Sequence, residues 1–151
     1  MVLNHHEQRP ASNWEPVAPA DYLQWRRSNH SLEELAAYRW GDLHLTGTGT
    51  PEKVSAVLAS ANFFNTLRVQ PMLGRTLFSG EDLPGQDQEV ILSYGLWKQN
   101  FSANPNILGS AIRLDGKVYS VIGVLEKNFN FPAGADLPAK RETWWLATSW
   151  V

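Results

Sequence analysis

Ser110-Ala-Ile-Arg-Leu-Asp115-Gly116-Lys-Val-Tyr-Ser-Val-Ile-Gly-Val-Leu125 decides how this chain folds. Asp-Gly between two alternating runs is the strongest short-range signal for a β-hairpin. A two-residue turn at 115–116 pairs Leu114 with Lys117, Arg113 with Val118 and Ile112 with Tyr119. Ile112, Leu114, Tyr119 and Val121 then share one face. Val118 and Ile122 point the other way, so neither face reads as fully wet. The hairpin predicts a sheet with helices on one side and further chain partly covering the other.

Working outward, Gln88 to Leu92 reads as a strand. Ser93 is placed to cap a helix that carries Tyr94, Trp97 and Phe101 at i, i+3 and i+7, and Asn104-Pro105 ends it. Pro71 to Gly85 reads as a long loop punctuated by Gly74-Arg75, Ser79-Gly80 and Pro84-Gly85. Further upstream, Trp40 to Thr46 alternates with Leu43 and Leu45 on one face. Gly47-Thr-Gly-Thr-Pro51 is the turn, and Lys53 to Ala59 returns with Val54 and Val57 on opposite faces. Ser60 or Asn62 is placed to cap a short helix bearing Phe63, Phe64 and Leu67.

The ends carry weaker patterns. A helix is predicted over Pro19–Ser28, with Pro19 suited to a first helical position. Ser31-Leu-Glu-Glu34 matches a capping box and predicts a second helix over 32–37. Residues 1–18 read as extended, with a short strand at 1–6. Residues 126–142 read as loop anchored by Phe129, Phe131 and Pro132, and Thr143 to Trp150 as the start of one more strand. Mixed helices and antiparallel hairpins without a βαβ rhythm give an α+β class.

Composition bounds the function. With 43% hydrophobic and 19% charged residues the chain is an ordinary globular one. Lys+Arg 13 against Asp+Glu 15 leaves a net charge of −2 and no basic block, which argues against a nucleic-acid partner. Without cysteine, disulfides, thiol catalysis and Cys-based zinc sites are excluded. The opening Met1-Val-Leu-Asn-His-His is polar too soon for a signal peptide, and no apolar run approaches the roughly 20 residues a membrane helix needs. Seven tryptophans (14, 25, 40, 97, 144, 145 and 150) signal packing first and a ligand platform second.

No constellation points to catalysis, cofactor binding or a metal. His5-His6 has no third ligand close in sequence. Glu33-Glu34 is explained by helix capping, and Glu81-Asp82 lies in a polar loop. Ser93-Tyr-Gly lacks the glycine-flanked elbow of a hydrolase nucleophile, and Gly47-Thr-Gly-Thr-Pro lacks the lysine of a phosphate loop. Asp115-Gly116 lacks the oxygen ligands of a calcium loop. Arg75 suits either an interface or a loop anchor.

Taken in order, these segments resemble the periplasmic core domain of MacB-like ABC transporter permeases, in the duplicated subgroup without a fused ATPase. The resemblance rests on Asp21-Tyr-Leu-Gln-Trp25, Leu35-Ala-Ala-Tyr38, Ala61-Asn-Phe-Phe64 and Pro71-Met-Leu-Gly-Arg75. It continues through Leu92-Ser-Tyr-Gly-Leu-Trp97, Leu114 to Val124 and Phe129 to Pro132, and covers residues 15–150. Ala18 stands where the family often has Ser, and Arg68 where it often has Gly. A left-handed Arg68 costs roughly 1–2 kcal/mol.

The resemblance implies one domain over 1–151, expected to be partial, with a second lobe and membrane helices beyond this chain. It implies a non-catalytic extracytoplasmic body that relays membrane-helix motion to substrate or to a periplasmic partner. Its expected partners are the rest of the permease, a cytoplasmic ATPase subunit and a periplasmic adaptor. A free glycan- or peptide-binding module using exposed tryptophans, and a small hydrolase, are the alternatives. The missing half is expected to leave apolar surface around Trp144 and Trp145 and the isolated chain marginally stable.

Overall fold

The Asp115-Gly116 hairpin forms in the register its sequence predicts. A computed structural model of the chain describes residues 2–5, 19–31, 33–47, 49–83, 85–129 and 145–149. Strand β6 (Ala111–Leu114) pairs with β7 (Lys117–Val124) through Ile112↔Tyr119, Arg113↔Val118 and Leu114↔Lys117. Asp115 and Gly116 hold φ of 48° and 79°, the two positive values that a tight hairpin turn of the primed type demands.

Around this hairpin the remaining elements are β1 (Val2–His5), α1 (Pro19–Ser28), β2 (Ala36–Thr46), β3 (Glu52–Ala59), α2 (Phe63–Thr66), β4 (Leu73–Gly74), β5 (Glu89–Leu92), α3 (Tyr94–Asn100) and β8 (Trp145–Ser149). The eight strands of the described residues form one mixed sheet in the order β1-β2-β3-β8-β5-β7-β4, and β6 pairs with both β7 and β2. That second pairing, at Leu45↔Leu114 and Thr46↔Arg113, closes a circuit through β2, β3, β8, β5, β7 and β6. A closed circuit has an inside and an outside, and alternate residues of each strand face one or the other.

The buried side chains sort accordingly. Leu45, Val54, Ala56, Val90, Leu92, Ile112, Leu114, Tyr119 and Val121 come from every ring strand whose side chains are described, and they form one cluster with Leu96, Trp97 and Ile107. This is the interior, and the helix α3 contributes to it. The opposite faces of β2, β3 and β5 supply Tyr38, Val57, Ala59 and Ile91 to a second cluster with Phe63 and Phe64 of α2, Leu77 and Leu125. Val54 and Val57 therefore fall on opposite faces, as expected. The α+β class holds, with α2 and α3 divided between the two faces rather than gathered on one.

The helix expected over 32–37 does not form. Ala36 and Ala37 already belong to β2, which starts four residues ahead of the expected Trp40. Ala36 to Arg39 pair with β1 on one side, and Tyr38 onward pairs with β3 on the other. Two ladders outweigh the local helical preference of a Leu-Ala-Ala segment. Glu34 does not complete the expected box with Ser31. Its carboxylate accepts from the Thr66 hydroxyl at 2.8 Å, and the Ser31 N–H donates to Asn29 Oδ1 at 3.1 Å.

The loop expected over Pro71 to Gly85 contains β4, paired to β7 through Leu73↔Val124 and Gly74↔Gly123. The two motif glycines thus face each other. A Cβ on Gly74 would collide with the Ile122 carbonyl oxygen, and one on Gly123 with the Arg75 carbonyl oxygen. Only glycine lets the two backbones come this close. The strand expected at 1–6 is β1, and the one expected at 143–150 is β8, which pairs with β3 and β5. Phe129 anchors its loop against Phe64, ring centroids 6.1 Å apart. Trp14, Phe131, Pro132, Trp144 and Trp150 lie outside the described residues, as do the side chains of Trp40 and Trp145.

Candidate functional site

Several of the polar side chains singled out by the sequence tie segments of the body together. Ser93 caps α3: its backbone is extended, with ψ 156°, and its hydroxyl accepts from the Leu96 N–H at 3.2 Å. Such a hydroxyl is held by the helix end and is not presented as a nucleophile. The helix closes on Phe101, and Ser102 and Ala103 turn the chain with φ of 51° each. The Trp97 indole N–H donates to the Asn104 carbonyl at 2.9 Å, so this ring is packed and hydrogen-bonded. Trp25, on α1, is 48% exposed.

Neither Ser60 nor Asn62 caps α2 through its side chain. The Ser60 hydroxyl, fully buried, accepts from the Ala37 N–H at 3.0 Å and donates to Asn62 Oδ1 at 2.8 Å. The Asn62 amide donates to the Leu35 carbonyl at 3.0 Å, which also accepts from the Tyr22 hydroxyl at 3.1 Å. Tyr22, Leu35 and Ala37 pack together. This network binds α1, the start of β2 and the lead into α2. At its far end, α2 closes in a Schellman arrangement. The Val69 N–H bonds Phe64 O, the Arg68 N–H bonds Asn65 O, and Arg68 is left-handed at φ 55°. The strain anticipated for a non-glycine residue at that position is therefore present.

Glu81-Asp82 is likewise a pair of anchors. Arg75 grips Glu81 with both guanidinium arms, at 2.7 and 2.8 Å, and covers the Phe78 ring at 4.0 Å. Glu81 also accepts from the Phe78 N–H at 2.7 Å. The guanidinium hydrogen bonds, aided by the Phe78 N–H, hold the Glu81 carboxyl below its ordinary range despite partial burial. Asp82 accepts from the Ala61 N–H at 2.9 Å and ties the loop to the head of α2. Arg75 is thus a loop anchor. Burial pushes the nearby Glu89 carboxyl the other way, upward, with Glu81 adding to it.

One contact between elements is not legible in the sequence. Asp115, chosen by the turn, reaches across to β2. Its carboxylate accepts from the His44 N–H at 2.9 Å and lies 3.1 Å from His44 Nδ1, while its own N–H donates to the His44 carbonyl at 3.0 Å. The only sequence signal was the preference for Asp at this turn, which names no partner.

Among the described residues, no three His, Asp or Glu side chains gather as a metal site. Glu33 is exposed, and His6 and Thr48 lie outside the described residues. A surface depression of about 350 Å³ is lined by Arg68, Val69, Gln70, Glu126, Asn128 and Phe129. Four of these, Arg68, Gln70, Glu126 and Asn128, are exposed, so its charged groups face water and not one another across a dry cleft. No described helix is long and apolar enough to cross a membrane.

A search of curated proteins finds no sequence match. Solved structures do match. The extracellular domain of the noncanonical ABC-type transporter YknZ from Gram-positive bacteria aligns over 88% of this chain with a TM-score of 0.65 and 14% identity. The periplasmic region of MacB from Actinobacillus actinomycetemcomitans aligns over 91% with a TM-score of 0.67 and 16% identity. The chain spans 65% and 57% of those two structures. At such identity the likeness establishes a common fold. The family profile goes further, because it matches residues 2–146, nearly the whole sequence. The chain belongs to the MacB-like periplasmic core domain family, a family of extracytoplasmic domains of ABC transporter permeases.

Proposed function

We propose that this chain is a non-catalytic coupling body of an ABC-type permease, carrying motion from membrane helices to substrate or to a periplasmic partner. A cytoplasmic ATPase subunit supplies the energy in this reading, and a second lobe and the membrane helices complete the permease. The observation that carries it is the family match over residues 2–146, on a body in which several polar groups, Ser60, Arg75, Asp82 and Ser93 among them, tie its own segments together. A relay must transmit displacement without absorbing it. Close-packed side chains on both faces of a ring, with the connecting segments pinned by short hydrogen bonds, meet that requirement.

The reading is tested in the assembled transporter by replacing residues 19–149 with a flexible Gly/Ser linker. ATP hydrolysis is expected to continue while transport is lost, because the engine is left without its coupling. Transport at the parental rate through the linker-bearing protein would overturn the relay.

A further inference from the structure

The ring is unevenly sealed. Strand β2 pairs with β3 from Tyr38 to Leu45, yet it meets β6 only at Leu45 and Thr46. Beyond that short ladder the seam is held by the Asp115–His44 clasp, in which the Asp115 carboxylate stands in for a backbone carbonyl at 2.9 Å. The His44 and Asp115 side chains are 61% and 47% exposed, where such a contact is weak and reversible. On the outer face of the hairpin Ala111, Arg113 and Val118 are all exposed, so among the described residues no other element covers this tip from outside. On the inner face Leu45 and Leu114 are fully buried against the interior cluster.

We propose that the tip of the β6–β7 hairpin is a latch, which unclips from β2 as a unit while its own pairing survives. The hairpin can do so because β6 keeps its full register on β7, from Ala111↔Ser120 to Leu114↔Lys117, when the β2 contacts break. Opening uncovers an apolar strip between Leu45 and Leu114. Closed, the latch completes the ring. This inference rests on the strand pairing, the clasp and the exposure of the hairpin tip, and stands apart from the transport reading.

Hydrogen exchange on the 151-residue chain tests it. Asp115→Gly keeps a turn that accepts positive φ at both positions but removes the carboxylate. Exchange over residues 43–46 and 112–115 is expected to accelerate about five- to tenfold, the equivalent of one lost hydrogen bond. Residues 54–58 of the β2–β3 pairing are expected to keep their parental rates. A second variant closes the latch covalently: Thr46→Cys with Arg113→Cys, register partners across the seam. In its oxidised form, exchange over the same two segments is expected to slow relative to the reduced form. An unchanged seam in Asp115→Gly, a uniform acceleration over the whole sheet, or no slowing in the cystine form overturns the latch.

Discussion

Inside the ring, aliphatic side chains from facing strands meet around Trp97 and Tyr119, with strand alternation placing each one. Outside, a helix of a single turn, Phe63–Thr66, lays two phenylalanines against Tyr38, Val57 and Ile91. The rings of Phe63 and Phe64 meet edge to face with centroids 5.1 Å apart, and Phe63 lies 5.1 Å from Tyr38. A four-residue helix has no stability of its own. It is held by the Ser60–Asn62 network before it, the Schellman turn after it, and Asp82 and Glu34 from either side. The interior needs almost no polar support, whereas the exterior cluster depends on it. The lesson is that a short helix becomes a rigid part of a body only when hydrogen bonds fix both its ends.

That contrast breaks most readily at the rings. Phe64 is fully buried, and Phe64→Ala is expected to cost about 3–5 kcal/mol, against about 2–5 kcal/mol for Leu92→Ala in the interior. Urea unfolding measures both. If the outer cluster were a mere coat, Phe64→Ala would cost far less than Leu92→Ala.

The polar ties come next. Ser60→Ala leaves the buried Ala37 N–H without the hydroxyl that satisfies it, and is expected to cost about 1–3 kcal/mol. Retention of full stability by that variant would remove the network from the account. Arg68→Gly is expected to stabilise by about 1 kcal/mol, since glycine takes the left-handed turn without strain. A loss of stability there would mean that the Arg68 side chain contributes more than its backbone costs.

The smallest effect is on pH dependence. Because Arg75 lowers the Glu81 carboxyl, the folded state binds that proton less readily than the unfolded one. The stability this contributes is present above the unfolded carboxylate pKa and is lost as pH falls through the folded value. Glu89 acts oppositely: burial raises it, so its ionisation costs stability as pH rises through the raised value. Unfolding midpoints measured from about pH 6 down to about pH 3 are expected to fall less steeply for Glu81→Gln than for the parent. Equal slopes would show that the Arg75–Glu81 pair is not formed in solution.

The hairpin at 110–125, the cap at Ser93 and the split of Val54 from Val57 were legible because each is decided within a few residues. A turn dipeptide, a hydroxyl ahead of an apolar face, and a period of two are local facts. The segment 31–37 misleads for the same reason. Ser31 and Glu34 fit a capping box locally, and only the pairing of Ala36 and Ala37 with a strand more than thirty residues earlier in register makes them extended. The closure of the ring at Leu45 and Leu114, and the grip of Asp115 on His44, join positions about 70 apart, and no local pattern encodes such a meeting. The glycines of the Pro71–Arg75 and Leu114–Val124 motifs were visible as motif members. Their reason, the backbone approach of β4 to β7, appears only once the strands are paired.

The claim on which the transport reading depends is that this body, the hairpin tip apart, moves as one piece. Spin labels at the exposed positions Asn65, on α2, and Lys98, on α3, span the outer and inner clusters. Measured by pulsed electron resonance in the assembled permease, their separation is predicted to stay a single narrow distribution in the nucleotide-free and ATP-bound states. A distribution that shifts or splits between those states would contradict a rigid coupler.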